Sequence, residues 1–85
     1  MFLARVFIRL KPTVGDPQGL TIHGGLRQLG FDTVRTMRTG KYMELTLDEV
    51  SEGDAAERVD QMCAKLLANP VIEDYRFELE RLDDA

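Results

Sequence analysis

Nine residues near the start of the chain constrain the fold more than any others. Phe2, Ala4, Val6, Ile8 and Leu10 recur at every second position, with Leu3, Arg5, Phe7 and Arg9 between them. A period of two is that of a β-strand, whose successive side chains point to opposite faces. One face is wholly apolar and the other alternates large apolar groups with arginines. A strand apolar on one side and half apolar on the other belongs in the middle of a sheet, or is covered by a partner chain.

The remainder of the chain supplies the neighbours that a central strand needs. Lys11 to Gly19 is a break holding two of the three prolines. Within it Asp16-Pro17 reads as the N-cap and first residue of a helix. The carboxylate accepts orphan amide protons there, and proline has no amide to orphan. The helix is predicted to reach Leu29, with Leu20, Ile22 or His23, Leu26 and Leu29 as its buried stripe. Gly24 and Gly25 inside it cost about 1 kcal/mol each relative to alanine. Gly30 ends it in the left-handed conformation, with Phe31 as the apolar anchor.

Thr33 to Thr39 is predicted as a second strand packing through Val34 and Met37. Thr39-Gly40 then makes a two-residue hairpin turn, and Lys41 to Asp48 a third strand. Met43, Leu45 and Leu47 face the core from it, and Tyr42, Glu44 and Thr46 face away. Asp54 with Glu57 approximates a capping box. It opens a second helix with Ala55, Val59, Met62, Cys63, Leu66 and Leu67 on its apolar face. Asn69-Pro70 stops that helix. Val71 to Leu79 is the last strand, with Val71, Tyr75, Phe77 and Leu79 on the same side as Glu73. Residues 80–85 form a charged tail expected to fray.

The order β-α-β-β-α-β predicts a single α+β domain over residues 1–85. It is a two-layer sandwich in which both helices cover one face of a four-stranded antiparallel sheet. The other face then carries Leu3, Phe7 and Tyr42 without cover. An apolar patch of that kind marks a partner surface. The reading therefore expects a homodimer or a higher homo-oligomer, formed through this face or through a strand edge.

Charge and residue types narrow the function. Eleven basic residues against fifteen acidic ones leave a net charge of −4, which repels phosphate backbones and provides no polybasic membrane anchor. Apolar runs are far shorter than the ~20 residues needed to cross a bilayer. Alternation begins directly after Met1, with no charged segment leading into an apolar one, so the expected location is the cytoplasm.

The single cysteine, Cys63, excludes an internal disulfide and a thiolate-rich metal site, and its place on an apolar stripe suits a small buried hydrophobe. His23 is the only histidine, with no nucleophile to pair with. Asp48, Glu49, Glu52 and Asp54 read as a solvated acidic loop, their spacing matching no EF-hand. Gly15 to Gly19, GDPQG, lacks the ending of a phosphate-binding loop. No catalytic, cofactor or metal site emerges, and the residues describe a binding or assembly module.

Four segments carry a resemblance. They are Leu10-Lys11-Pro12 with Asp16-Pro17-Gln18-Gly19; Leu29-Gly30-Phe31; Gly40-Lys41-Tyr42-Met43-Glu44-Leu45; and the run from Met62 through Ala68-Asn69-Pro70-Val71-Ile72-Glu73-Asp74 to Tyr75. Together, in this order and over nearly the whole chain, they resemble the PurS family, the small subunits of phosphoribosylformylglycinamidine synthase. The pair Gly24-Gly25 departs from the better helix formers expected there.

The resemblance implies a part in purine biosynthesis. In that complex a glutaminase subunit (PurQ-like) releases ammonia. A large synthetase subunit (PurL-like) uses ATP and magnesium to convert formylglycinamide ribonucleotide to the amidine. The small subunit dimerises, joins the two and supplies no catalytic residue. On this reading the chain binds no cofactor itself. Its interaction residues are expected in three polar stretches matching the family: Lys11, Asp16 and Gln18; Arg38, Lys41 and Tyr42; and Asn69, Glu73 and Asp74. Leu3 and Phe7 are assigned to the sheet-face contact.

The alternative is an amino-acid-binding regulatory domain of the ACT type, which shares the element order and uses a glycine-rich turn after the first strand. An acylphosphatase-like enzyme would need an arginine in that turn, and Lys11 to Gly15 has none. An RNA-recognition module would need more exposed aromatics and positive charge.

Overall fold

The computed structural model describes residues 1–82. Strand β1, Phe2–Leu10, is the middle of a three-stranded antiparallel sheet. It pairs with β2, Gly40–Leu47, on one side and with β3, Glu73–Arg81, on the other. Helix α1 is Pro17–Gln28, and helix α2 is Glu52–Met62, continued by a wide π-helical turn over Cys63–Leu67. Fold class, the central place of β1 and the facing of all three strands follow the sequence pattern.

The register explains the two-sidedness. Phe2, Ala4, Val6 and Ile8 are buried, and with Leu47, Val59, Cys63 and Ala68 they make the core. Met43, Leu45, Tyr75, Phe77 and Leu79 pack around its edge from β2 and β3. The opposite face is a ladder of polar and aromatic groups, not a bare apolar patch. Phe7 lies opposite Tyr42 and Arg76, with ring centroids 5.2 Å apart and the Arg76 guanidinium 4.0 Å above the Phe7 ring. Arg5 Nη2 meets Glu80 Oε1 at 3.1 Å. Leu3 and Phe7 are half-buried and Tyr42 is exposed.

Among the described residues the expected four-stranded sheet with both helices on one face is not formed. Thr33 to Thr39 pairs with no strand. It runs back along α1, where His23 Nε2 donates to the Val34 carbonyl at 2.7 Å. Thr39-Gly40 is accordingly no hairpin. Gly40 opens β2 opposite Arg9, and a Cβ there would come within 2.6 Å of the Ile8 carbonyl oxygen. Of the two helices, α2 packs over β1 and β3, while α1 makes no comparable packing on any strand. The expected stripe of α1 is therefore not buried: Leu20, Ile22 and Leu29 are exposed, and the buried residue of this helix is Gly19.

The ends of the helices divide into those foreseen and those shifted. Asp16 caps α1 through the Gly19 amide, with Pro17 at its first position. At the other end Gly30 takes φ +95°, and its amide reaches the Arg27 carbonyl while that of Phe31 reaches Leu26. This is a Schellman ending. For α2 the cap is Ser51, whose hydroxyl accepts from the Asp54 amide at 3.1 Å, so Asp54 is the third residue of the helix instead of its cap.

The π-helical turn widens the last turn of α2, carrying Leu66 outward while Leu67 packs against the core. Met62 is exposed as well, and Val71 precedes β3 in the open. Glu80 and Arg81 belong to β3 instead of a frayed tail; residues 83–85 lie outside the described residues.

Candidate functional site

Eight of the nine polar residues singled out by sequence converge where β1 ends and β2 and β3 begin. The Lys11 amide donates to the Ile72 carbonyl at 2.8 Å, bringing the first loop against the turn before β3. Arg38 Nη2 donates to the Lys11 and Val14 carbonyls, both at 3.0 Å. One guanidinium thus holds a loop whose carbonyls have no strand to join. Tyr42, the ninth, stands two residues into the open face beside Phe7.

Asp16 is the buried polar residue at the centre. Its Oδ1 accepts from the Gly19 amide at 3.0 Å and from the Thr39 hydroxyl at 2.9 Å, and its Oδ2 from the Thr39 amide at 2.7 Å. Donation from the Thr39 amide and then from Gly19 holds this carboxyl below its ordinary pKa. The glycine of DPQG has a steric reason. A Cβ on Gly19 would fall onto the Asp16 carboxylate and within 2.9 Å of the Met37 carbonyl oxygen.

Asn69 and Glu73 form a second closed unit. Glu73 Oε1 accepts from the Asn69 amide at 2.7 Å, and Asn69 Oδ1 from the Val71 amide at 3.0 Å. The backbone amides of Ile72 and Glu73 both turn back to the Asn69 carbonyl. Glu73 Oε2 also faces Lys41 Nζ at 3.5 Å, joining this turn to the start of β2.

The polar residues thus separate by role. Asp16, Arg38, Asn69 and Glu73 build the end of the sheet through their own hydrogen bonds. Lys11, Gln18, Lys41 and Asp74 present their side chains to the surface, Lys11 half-buried and the other three exposed.

Two open clefts adjoin across Gly40 and Lys41. The larger, about 440 Å³, is lined by Phe7, Arg9, Arg38, Lys41, Asp74 and Arg76 among others. The smaller, about 390 Å³, lies against Asp16, Pro17, Gln18 and Glu73. Sequence reasoning missed Arg9, Thr39 and Arg76. Arg9 and Arg76 were accessible through strand parity, since Arg9 and Asp74 face each other in register and Arg76 follows on the same face.

The chain's one cysteine and one histidine both lie outside these clefts. Cys63 is buried, and burial followed by the charge of Asp60 pushes its thiol pKa up, away from a reactive thiolate. His23 is occupied bracing α1. Among the described residues no group of three histidine, cysteine or acidic side chains is placed to hold a metal ion. Also among them, no helix is long and apolar enough to cross a membrane.

Comparison with known proteins agrees in sequence and in structure. The family model for PurS, phosphoribosylformylglycinamidine (FGAM) synthase, matches residues 3–81. The chain is 48% identical to the PurS subunit of Synechocystis sp. over 95% of its own length and 81% of the relative's. It is 45% identical to that of Bacillus subtilis over 96% of each. The crystal structure of Methanocaldococcus jannaschii PurS superimposes with a TM-score of 0.88 at 42% identity, over 98% of this chain and 100% of that one. A chain of the PurLQS structure from Thermotoga maritima does so with a TM-score of 0.84 at 30% identity, over 94% of this chain and 99% of that one.

Proposed function

The chain belongs to the PurS family, and from that premise we propose that it is the small, non-catalytic bridging subunit of phosphoribosylformylglycinamidine synthase in purine biosynthesis. Its partners are a PurL-like synthetase subunit and a PurQ-like glutaminase subunit in the cytoplasm. ATP and magnesium serve the synthetase, and this chain binds neither. The observation that carries the reading is the convergence of the family-matching stretches on one end of the sheet. There Arg38, Asp16 and Glu73 hold the backbone, and Gln18, Lys41 and Asp74 are left to face a partner.

Positioning is the contribution such a subunit makes. Ammonia released into water is protonated and lost as a nucleophile, so a glutaminase and a synthetase gain from being held in register with the path between them shielded. A small domain with a stiffly hydrogen-bonded edge and exposed polar anchors supports that task. The relatives named above are PurS chains, which disfavours the amino-acid-binding regulatory domain.

Glutamine-dependent formation of formylglycinamidine ribonucleotide by the two larger subunits tests the proposal, measured with and without this chain. Turnover that requires the chain with glutamine, but not with high ammonia, supports bridging. Equal glutamine-dependent turnover without it would sink the reading.

A further inference from the structure

The larger cleft, where β1 ends, is cationic in a chain whose net charge is −4. Arg9, Arg38, Lys41 and Arg76 line it, and among the described residues Asp74 is the one acid on its wall. The four cations come from three different strands and from the segment before β2. Like charges gathered in this way raise the energy of a fold unless an anion compensates them.

The chain's own carboxylates compensate them only in part. Lys41 faces Glu73 at 3.5 Å, and Arg76 meets Glu78 at 3.3 Å in the open. Arg9 is exposed and, among the described residues, makes neither an ion pair nor a side-chain hydrogen bond, although Asp74 stands opposite it in register. Arg38 is pinned by one corner. The carbonyls of Leu10, Lys11 and Val14 all take its Nη2, and Nη1 and Nε keep their donors unused among the described residues. A guanidinium fixed in place with donors to spare is organised in advance for an oxyanion. Arg76 is steadied as well, its guanidinium lying 4.0 Å above the Phe7 ring.

The same face limits the length of what can bind. Beyond Phe7, Arg5 lies between Glu44 and Glu78 in register, and Glu80 follows opposite Leu3. An extended acidic segment along this face would run from the cations into those carboxylates, whereas a compact anion stays among the cations. A cleft of about 440 Å³ has the size of a small-molecule site.

We propose that this cleft binds a phosphate dianion, free or as the phosphate monoester of a small molecule, between Arg9, Arg38 and Arg76, with Lys41 as a further charge. Arginine forks match phosphate oxygens in pairs, which a chloride ion cannot exploit. The site is a property of this chain alone and does not rest on the bridging role.

Titration of the isotope-labelled full chain, followed by amide chemical shifts, tests it with inorganic phosphate, glycerol 3-phosphate, tetraglutamate and sodium chloride at matched ionic strength. Phosphate should give saturable shifts at Arg9, Gly40, Lys41 and Arg76, and sodium chloride should not. Tighter binding of glycerol 3-phosphate would identify an ester as the ligand, and equal binding the phosphate group alone. Arg9→Gln and Arg76→Gln should each weaken phosphate binding about tenfold, the loss of one charge-assisted hydrogen bond, with unchanged circular dichroism. Lys65→Gln, an exposed cation outside both clefts, should leave it unaltered.

Shifts that do not saturate, or that sodium chloride reproduces, would overturn the site. So would phosphate affinity unchanged in a folded Arg9→Gln chain. Tetraglutamate binding more tightly than either phosphate would replace the small anion with an acidic segment of a protein and defeat the proposal.

Discussion

The Asp16 carboxylate takes up both the backbone amide and the hydroxyl of Thr39, at 2.7 and 2.9 Å, and so joins the start of α1 to the residue before β2. Twenty-three positions separate them in the chain. Because these hydrogen bonds favour the ionised form, folding depresses the Asp16 pKa. Their contribution is therefore complete above the unfolded carboxyl value of about 4 and is lost as pH falls through the lower folded value. Asp16→Asn should lower the melting temperature at pH 7 and flatten its decline between pH 4 and pH 2. Thermal melts across that range check it, and an equally steep decline in both proteins would exclude Asp16 as the source.

Two glycines of α1 should respond in opposite directions to the same substitution. Gly19→Ala drives a methyl group into Asp16 and the Met37 carbonyl, an overpacking cost of about 1–3 kcal/mol. Gly24→Ala meets nothing within 4 Å and should stabilise by about 0.5–1 kcal/mol through helix propensity and reduced freedom of the unfolded chain. Urea unfolding of the two variants measures both signs.

The π-helical turn after α2 makes a claim about adjacent leucines. Leu66 is 82% exposed whereas Leu67 packs against the core. Leu66→Ala should change stability by no more than about 0.5 kcal/mol, and Leu67→Ala should cost about 2 kcal/mol or more. An uninterrupted α-helix would bury Leu66, so the reverse order in chemical denaturation would reject the turn.

Cys63 should behave as a core residue. With the side chain buried and its thiol pKa pushed up, alkylation by iodoacetamide at pH 7 should be undetectable in the native chain and rapid in denaturant. Labelling followed by mass spectrometry decides it.

Lys41→Glu puts a negative charge in place of the ammonium that faces Glu73 at 3.5 Å. The native pair is exposed on the lysine side and worth little to the fold, so circular dichroism should not change. Association with the synthetase and glutaminase subunits should weaken by on the order of tenfold. Undiminished binding in a pull-down would take Lys41 off the contact surface.

Much of the local structure was legible along the chain. The parity of β1, the Asp16-Pro17 start and Gly30-Phe31 stop of α1, and the inward facing of Met43, Leu45 and Leu47 all depend on neighbours within one turn or one pleat. The cap of α2 was misplaced because Ser51 and Asp54 both suit that position, and only the Asp54 amide pointing at the Ser51 hydroxyl separates them. The site was legible as residues and not as roles. Nothing in the spacing says that Arg38 would hold the carbonyls of a loop more than twenty positions earlier, or that Arg9 and Arg76 would line the same cleft as Lys41.

The identity of β1, β2 and β3 and of both helices, and the central position of β1, were settled by the order of residues, since alternation and capping are short-range chemistry. Three features were decided by the tertiary structure alone: that Thr33 to Thr39 lies along α1 instead of pairing, that α1 stands clear of the sheet, and that the polar loops meet at one end. Each depends on a buried carboxylate and a guanidinium satisfying backbone groups distant in sequence. Such contacts form only once the sheet has brought their partners within 3 Å, so periodicity carries no trace of them.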